Sequence, residues 1–225
     1  MTQTIASVIG AFVAGLQYED IPKTAISVAK TGIIDTIAVM VAGKDEEPVR
    51  ILQKTLEAQG GNAESTVCFG SKRLGAADAA WVNGTAGHVL DYDDFARGHP
   101  SVVIVPAILA EGEVLGSSGR DLLTAYVAGY ETWMEIVTRE KGNYQMKGWH
   151  PTPLIGALAA AAAVCRLRGL SADQTMSALG IAAAQASGVT ASYGTHAKSM
   201  QVGKAAHTGI MSARLAANGM TAFDR

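Results

Sequence analysis

Three short clusters hold most of the side chains that could do chemistry. Leu90-Asp91-Tyr92-Asp93-Asp94-Phe95 runs into Gly98-His99-Pro100-Ser101. The others are Gly148-Trp149-His150-Pro151-Thr152 and Gly194-Thr195-His196-Ala197-Lys198-Ser199. A histidine exchanges protons near neutral pH. A neighbouring aspartate such as Asp91 could act as a base or orient a ring, and Lys198 could hold a carboxylate as a point charge. His150 stands just before a predicted helix start, and His99 shortly before another. Unpaired N–H groups and the positive dipole end favour anions at such places. Asp91, His99, His150 and Lys198 are therefore the candidate acid–base and anion-holding groups. Plainer readings compete. An Asp-rich turn is commonly a helix cap or a solvated loop. His88 falls inside a helical run and reads as packed core, His207 as helix surface or core, His196 as loop and Lys204 as a solvated helix residue.

Metal binding is the natural rival for an acidic cluster beside histidines. Asp91, Asp93 and Asp94 resemble the opening of a calcium loop. The sixth and twelfth places, however, hold Ala96 and Val102 instead of the glycine and glutamate such a loop needs. No His-Glu-x-x-His pair is present for zinc. Two cysteines, Cys68 and Cys165, are too few for a three-cysteine iron–sulfur cluster within one chain. They also make no Cys-x-x-Cys pair. No metal and no cofactor are expected, and any chemistry would fall to side-chain acids and bases.

The surrounding chain is suited to positioning such groups on helices. Its 225 residues are 48% hydrophobic and 17% charged, enough for a substantial core. Aromatics are 6%, with 25 glycines and abundant alanine, which points to closely packed helices. Ile5 to Leu16 reads as a first helix, since no basic residue precedes it as in a signal peptide. Pro22 opens a second helix, running to Gly43, and Pro48 a third, ending at Gly60-Gly61. Ser65 to Phe69 is the one strand-like piece, and Ala76 to Leu90 reads as helix. Pro106 to Leu115 reads as a helix with its proline in the first turn. Ser118 with Asp121 and Ser171 with Gln174 form capping-box patterns. Pro151 or Pro153 opens an Ala-rich helix to Arg166. A last helix runs from about Val202 to Ala217, stopped by Asn218-Gly219.

The expected fold is thus all-α, one helical domain over 1–225. No Gly-rich loop follows a strand, so neither a Rossmann nor a P-loop site is supported. The net charge of -2 gives no nucleic-acid footprint. The longest apolar run, Pro153 to Cys165, is too short to span a bilayer. The expectation is a protein without nucleic-acid or membrane partners, in a reducing cytoplasm.

The run HVLDYDDFARGHPSVVIVPAILA resembles the MmgE/PrpD signature, His-x-x-Asp-[Phe/Tyr/His]-Asp-Asp followed by His-Pro-[Ser/Thr]. GRDLLTAYVAGYE, GWHPT, LGIAAAQASG and AKSMQVGKAAHTGIMSARLAANGMTA follow in the family's order. The ordered set covers nearly the whole chain. That family includes dehydratases of 2-methylcitrate, decarboxylases of cis-aconitate and an epimerase of iminodisuccinate. The resemblance implies a large helical domain, joined in family members to a smaller α/β lid, and usually a dimer. It implies that Asp91, His99, His150 and Lys198 lie in the active site. It also implies that this chain is the helical portion, with a lid segment or partner chain still to be supplied. Two places depart from the decarboxylase pattern. Phe95 stands where those members carry threonine, and Gln201 stands where they carry histidine.

The implied substrate is a small polycarboxylate. Each family reaction moves a proton at carbon beside a carboxylate or builds carbanion-like charge there, which fixed positive groups would stabilise. Lys198 and helix N-termini are expected to hold carboxylates. His150 and His99 would form the acid–base pair, with Asp91 orienting a ring or taking a proton. A lyase is expected first. An epimerase and a non-catalytic binding or oligomerisation module remain alternatives, and a homo-oligomer is expected in each case.

Overall fold

Local signals start most of the helices. In the computed structural model, which describes residues 4–222, the Thr4 side chain accepts from Ser7 N and caps α1, Ile5–Gly15. The terminal Phe223-Asp224-Arg225 lies outside the described residues. Pro22 precedes α2, Lys23–Gly43. Pro48 sits in the first turn of α3, Glu47–Gln59, which ends at Gly60 with φ 76°, a conformation glycine adopts without a Cβ penalty. α4 spans Ala76–His88, α5 Ser101–Leu115 and α6 Gly119–Arg139. α7 spans Pro151–Leu167, α8 Ala172–Gln185 and α9 His196–Ala217. Both predicted capping boxes form, Ser118 with Asp121 and Ser171 with Gln174.

Three expectations are corrected. The strand-like piece shrinks to β1, Ser65–Thr66, in an antiparallel hairpin with β2, Arg73–Leu74. α5 starts at Ser101 instead of Pro106, so the proline lies inside the helix. Its early start has a cap that sequence spacing hides: Asp94 accepts from Ser101 N at 3.2 Å and from Ser101 Oγ at 2.6 Å. α9 starts at His196 instead of Val202, once the chain leaves Gly194 at φ 79° through an extended Thr195. His196 and Lys198 are therefore helical and not loop residues.

The core explains the alanine and glycine content. α9 packs along α4 and α7, and α6 packs along α7. A Cβ on Gly203 of α9 would collide with the Trp81 carbonyl and Thr85 of α4, and one on Gly209 with Ala160 of α7. Backbones touch at both places, so only glycine fits there. Around them Ala79, Ala80, Ala86, Ala160, Ala162, Ala206 and Ala213 are fully buried. Glu111 of α5 is also fully buried. It receives Arg168 Nε at 2.6 Å and Arg214 Nη2 at 2.8 Å, which ties the ends of three helices together. Removing one partner of such a network would leave an uncompensated buried charge.

α2 is apolar as a whole although Lys30 and Asp35 interrupt it. It is long and apolar enough to cross a bilayer, with a mean hydropathy of 1.6 over its most apolar window, 22% of which is buried. It packs on α4, α5 and α6. Its first and last turns are flanked by Lys23 and Lys44, with Lys30 and Asp35 between.

Candidate active site

The loop between α4 and α5 carries most of the site, and its shape is tightly held. Asp91 and Arg97 both take left-handed backbone, at φ 58° and 62°. The buried Trp133 of α6 donates its indole N–H to Ala96 O at 2.9 Å. His99 N donates to Thr152 Oγ1 at 3.2 Å, joining the loop to the first turn of α7. A second strap holds His150. Its N–H donates to Gly188 O at 3.0 Å, and Thr190 N donates to Gly148 O at 3.0 Å. The segment before α9 is thereby pinned against the segment before α7.

These elements bring all four candidates to one cavity of about 510 Å³, lined by Asp91, His99, His150 and Lys198. Lys198 Nζ lies 2.6 Å from Asp91 Oδ1. Two further cations line the same cavity, Arg97 and Lys141, with Tyr193 and the exposed Phe95. Residue type alone did not mark Arg97, Lys141 or Tyr193, because their loops gave no spacing signal. His196 lies instead on a neighbouring cavity of about 430 Å³, which shares the Asp91–Lys198 pair as a wall.

Behind the cavity stands a pair that the sequence reading assigned elsewhere. His88 is packed core, as expected, but its partners make it part of the site. Asp93, 6% exposed, lies 3.0 Å from His88 Nδ1 and 3.2 Å from His99 Nδ1. The His99 contact is turned off the line of an ideal hydrogen bond but is close enough for charge pairing. Burial alone would raise the Asp93 carboxyl. The two imidazoles outweigh it and hold Asp93 below the usual carboxylate range. Burial likewise disfavours protonated His99, but Asp93 and then Asp91 outweigh it and raise His99. His150 goes the other way: burial first, then the charges of His88, Lys198 and His99, push it down to about 3. Two histidines on one cavity are therefore driven apart, one toward the imidazolium and one toward the neutral ring. Such divergence is what an acid–base site requires. His88 and Asp93 were already in the quoted signature; what hid them was the fit of His88 to a helix interior.

Backbone amides contribute less than expected. Pro151 and Pro153 remove two N–H groups from the first turn of α7, and Leu154 N is already spent on His150 O. The start of α5 is closed by Asp94. These two helix ends therefore offer few free backbone N–H groups to an anion, while Arg97, Lys141 and Lys198 place side-chain cations on the cavity.

His88, Asp91 and His99 offer three donor atoms within 4.8 Å of one another, a spacing that could hold a metal ion. The Lys198 ammonium already sits against the Asp91 oxygen. A metal there would have to displace it. Lys204 and His207 lie apart from this cavity. Lys204 is not a free solvated residue: its Nζ is 4.3 Å from the Trp81 ring centre and 3.0 Å from His207 Nδ1.

The MmgE/PrpD N-terminal domain profile matches residues 7–225. Cis-aconitate decarboxylase-like protein oryM of Aspergillus oryzae is 34% identical over 95% of this chain and 48% of its own length. Cis-aconitate decarboxylase of Homo sapiens is 32% identical over 98% of this chain and 47% of its own. That of Aspergillus terreus is 32% identical over 97% and 47%. The chain spans about half the length of these curated relatives. A match that takes in His88, Asp91, Asp93, His99, His150 and Lys198, and nearly all the helices that position them, places the chain in the MmgE/PrpD family.

Proposed function

We propose that this chain is the helical, active-site-bearing part of a lyase for small polycarboxylates, working by acid–base chemistry without a cofactor. The observation that supports it is one cavity on which two oppositely tuned histidines meet three cations, Arg97, Lys141 and Lys198. Three separated positive groups suit a substrate with more than one carboxylate. Decarboxylation leaves a bonding pair on the carbon skeleton, and dehydration takes a proton from carbon beside a carboxylate. Both build negative charge where fixed cations and N–H donors stabilise it. His99 is raised toward the imidazolium and is the proton carrier. Lys198, braced by Asp91, holds a carboxylate, and His150 completes the polar wall.

The names of the relatives favour decarboxylation of cis-aconitate. Phe95 and Gln201, where decarboxylase members carry threonine and histidine, weigh against cis-aconitate as the substrate; the alternative to a lyase is epimerisation of an iminodisuccinate-like dicarboxylate. The proposal extends to a homo-oligomer in a reducing cytoplasm, in keeping with two free thiols that burial pushes up to about 12. The test is turnover by the full-length protein carrying this domain, followed by NMR with cis-aconitate, 2-methylcitrate and iminodisuccinate. Carbon dioxide from the first or water loss from the second is expected. Stereochemical inversion alone would install the epimerase reading, and no turnover of any of them would leave a binding module.

A further inference from the structure

Gln201 has no role in the proposed chemistry, yet it is the only hydrogen-bond partner of the His150 ring among the described residues. Its own orientation is fixed twice. Val189 N can only donate, so the oxygen that meets it at 3.1 Å is Gln201 Oε1. Val189 O can only accept, and Gln201 Nε2 meets it at 3.3 Å. The amide therefore cannot be flipped without breaking both contacts. One Nε2 hydrogen goes to Val189 O. The other goes to His150 Nδ1, 2.7 Å away.

His150 Nδ1 must then accept, and the single ring proton sits on Nε2. A second proton would set two N–H groups head to head. The surroundings oppose it too. From α4, the His88 ring lies 5.7 Å away; from the segment before α9, the Tyr193 ring lies 5.0 Å away. Lys198 and His99 add positive charge, and only Asp91 acts in the opposite sense. His99 is held in the other way. Its Nδ1 faces the Asp93 carboxylate, which favours Nδ1–H and leaves Nε2 to take and give a proton.

We infer that Gln201 fixes His150 as a neutral Nε2–H donor that holds the charge developing beside a substrate carboxylate, and that His99 alone carries the proton. A neutral imidazole that gave up its only ring proton would become an anion beside a substrate that is already anionic. His150 therefore keeps that proton and lends it as a hydrogen bond. In the decarboxylation direction the C–C bond to the departing CO2 breaks and its pair passes to the skeleton. The His99 Nε2–H bond breaks as the new C–H bond forms, leaving His99 neutral and His150 unchanged. Gln201 is thus a positioning residue, and a histidine at its place would not impose one tautomer on His150.

This inference rests on reading the cavity as an acid–base site, but its first test needs no substrate. Histidine nitrogens of the ¹⁵N-labelled full chain are followed by NMR across pH, with His150 assigned by its loss in His150→Gln. The expected spectrum has a pyridine-type Nδ1 and a pyrrole-type Nε2 for His150, unchanged down to about pH 5. Gln201→Glu replaces the donor with an acceptor and should raise the His150 titration by about 1–3 units. Gln201→Leu should give mixed tautomers. In the full-length protein, Gln201→Glu should lower kcat more than it changes KM. A pyrrole-type Nδ1 in the unsubstituted chain overturns the inference without any variant. So does a His150 tautomer and titration that neither substitution moves. Expected spectra from a protein that turns over no polycarboxylate would sink the proposed function and leave the tautomer assignment standing.

Discussion

Asp93 shows how a residue out of contact with the cavity can set what happens in it. Its carboxylate reaches two imidazoles, and the proton affinity of His99 depends on it. Asp93→Asn removes the charge and leaves the burial, so His99 should lose its proton at lower pH. If the imidazolium is the working form, activity is present below the His99 value and is lost as pH rises through it. The alkaline limb of the pH–rate profile of the full-length protein should then move to lower pH in Asp93→Asn. Asp94→Ala, which removes the cap of α5, should weaken the fold but move that limb far less, since Asp93 and then Asp91 are the groups that raise His99. A limb that stays put in Asp93→Asn would remove His99 from the proton path. His99→Asn itself should cost about 100- to 10,000-fold in kcat, the usual contribution of a positioned acid or base.

At the scale of helices, contact between backbones is the controlling feature. Gly203→Ala places a methyl group against the Trp81 carbonyl and Thr85, with no flexible side chain to yield. Overpacking of this kind costs about 1–3 kcal/mol, and a drop in the urea midpoint would report it. Gly15, at the end of α1, has nothing within 4 Å of an added Cβ. Gly15→Ala should be neutral or stabilising by the same measurement, and equal losses in both variants would refute the backbone-contact account. Helix starts with a local cap were legible in the sequence: Pro22, Pro48, Ser118, Ser171 and Pro151 all stand at or next to real starts. The starts of α5 and α9 were misplaced because Asp94 caps from seven residues away and Thr195 supplies no side-chain cap bond. The site was legible where a motif carried it. Arg97 and Lys141 became visible only in the fold, and Gln201, marked in the sequence as a departure from the decarboxylase pattern, gained its partner only there, since the Gln201–His150 contact spans 51 residues.

For the whole molecule, two histidines are held neutral by the fold: burial first, then nearby positive charge, lowers His150 to about 3 and His207 to about 4. In the unfolded chain both return to the ordinary value of 6.5. Below that value the unfolded state binds protons that the folded state refuses, so stability must fall as pH falls. His99 is raised, so between about pH 6.5 and about pH 5 it is protonated in both states and adds no slope. Each depressed histidine contributes up to about 1.4 kcal/mol per pH unit across that window. The urea midpoint should therefore drop between about pH 6.5 and about pH 5, and His207→Gln should flatten the drop. A flat profile in the unsubstituted chain would contradict the burial of both rings.

The two prolines at the start of α7 have a longer reach than their local geometry. They strip backbone donors from the turn beside His150, and Asp94 closes the start of α5, so under the proposed function a substrate anion would be gripped by the tips of Lys198, Arg97 and Lys141. A grip made of backbone can be altered only by rebuilding a turn. A grip made of side chains can be lengthened, shortened or discharged by one codon at a time while every helix stays where it is. Divergence of substrate in such a lineage needs no change of scaffold, and neighbouring chemistries lie a few point substitutions apart.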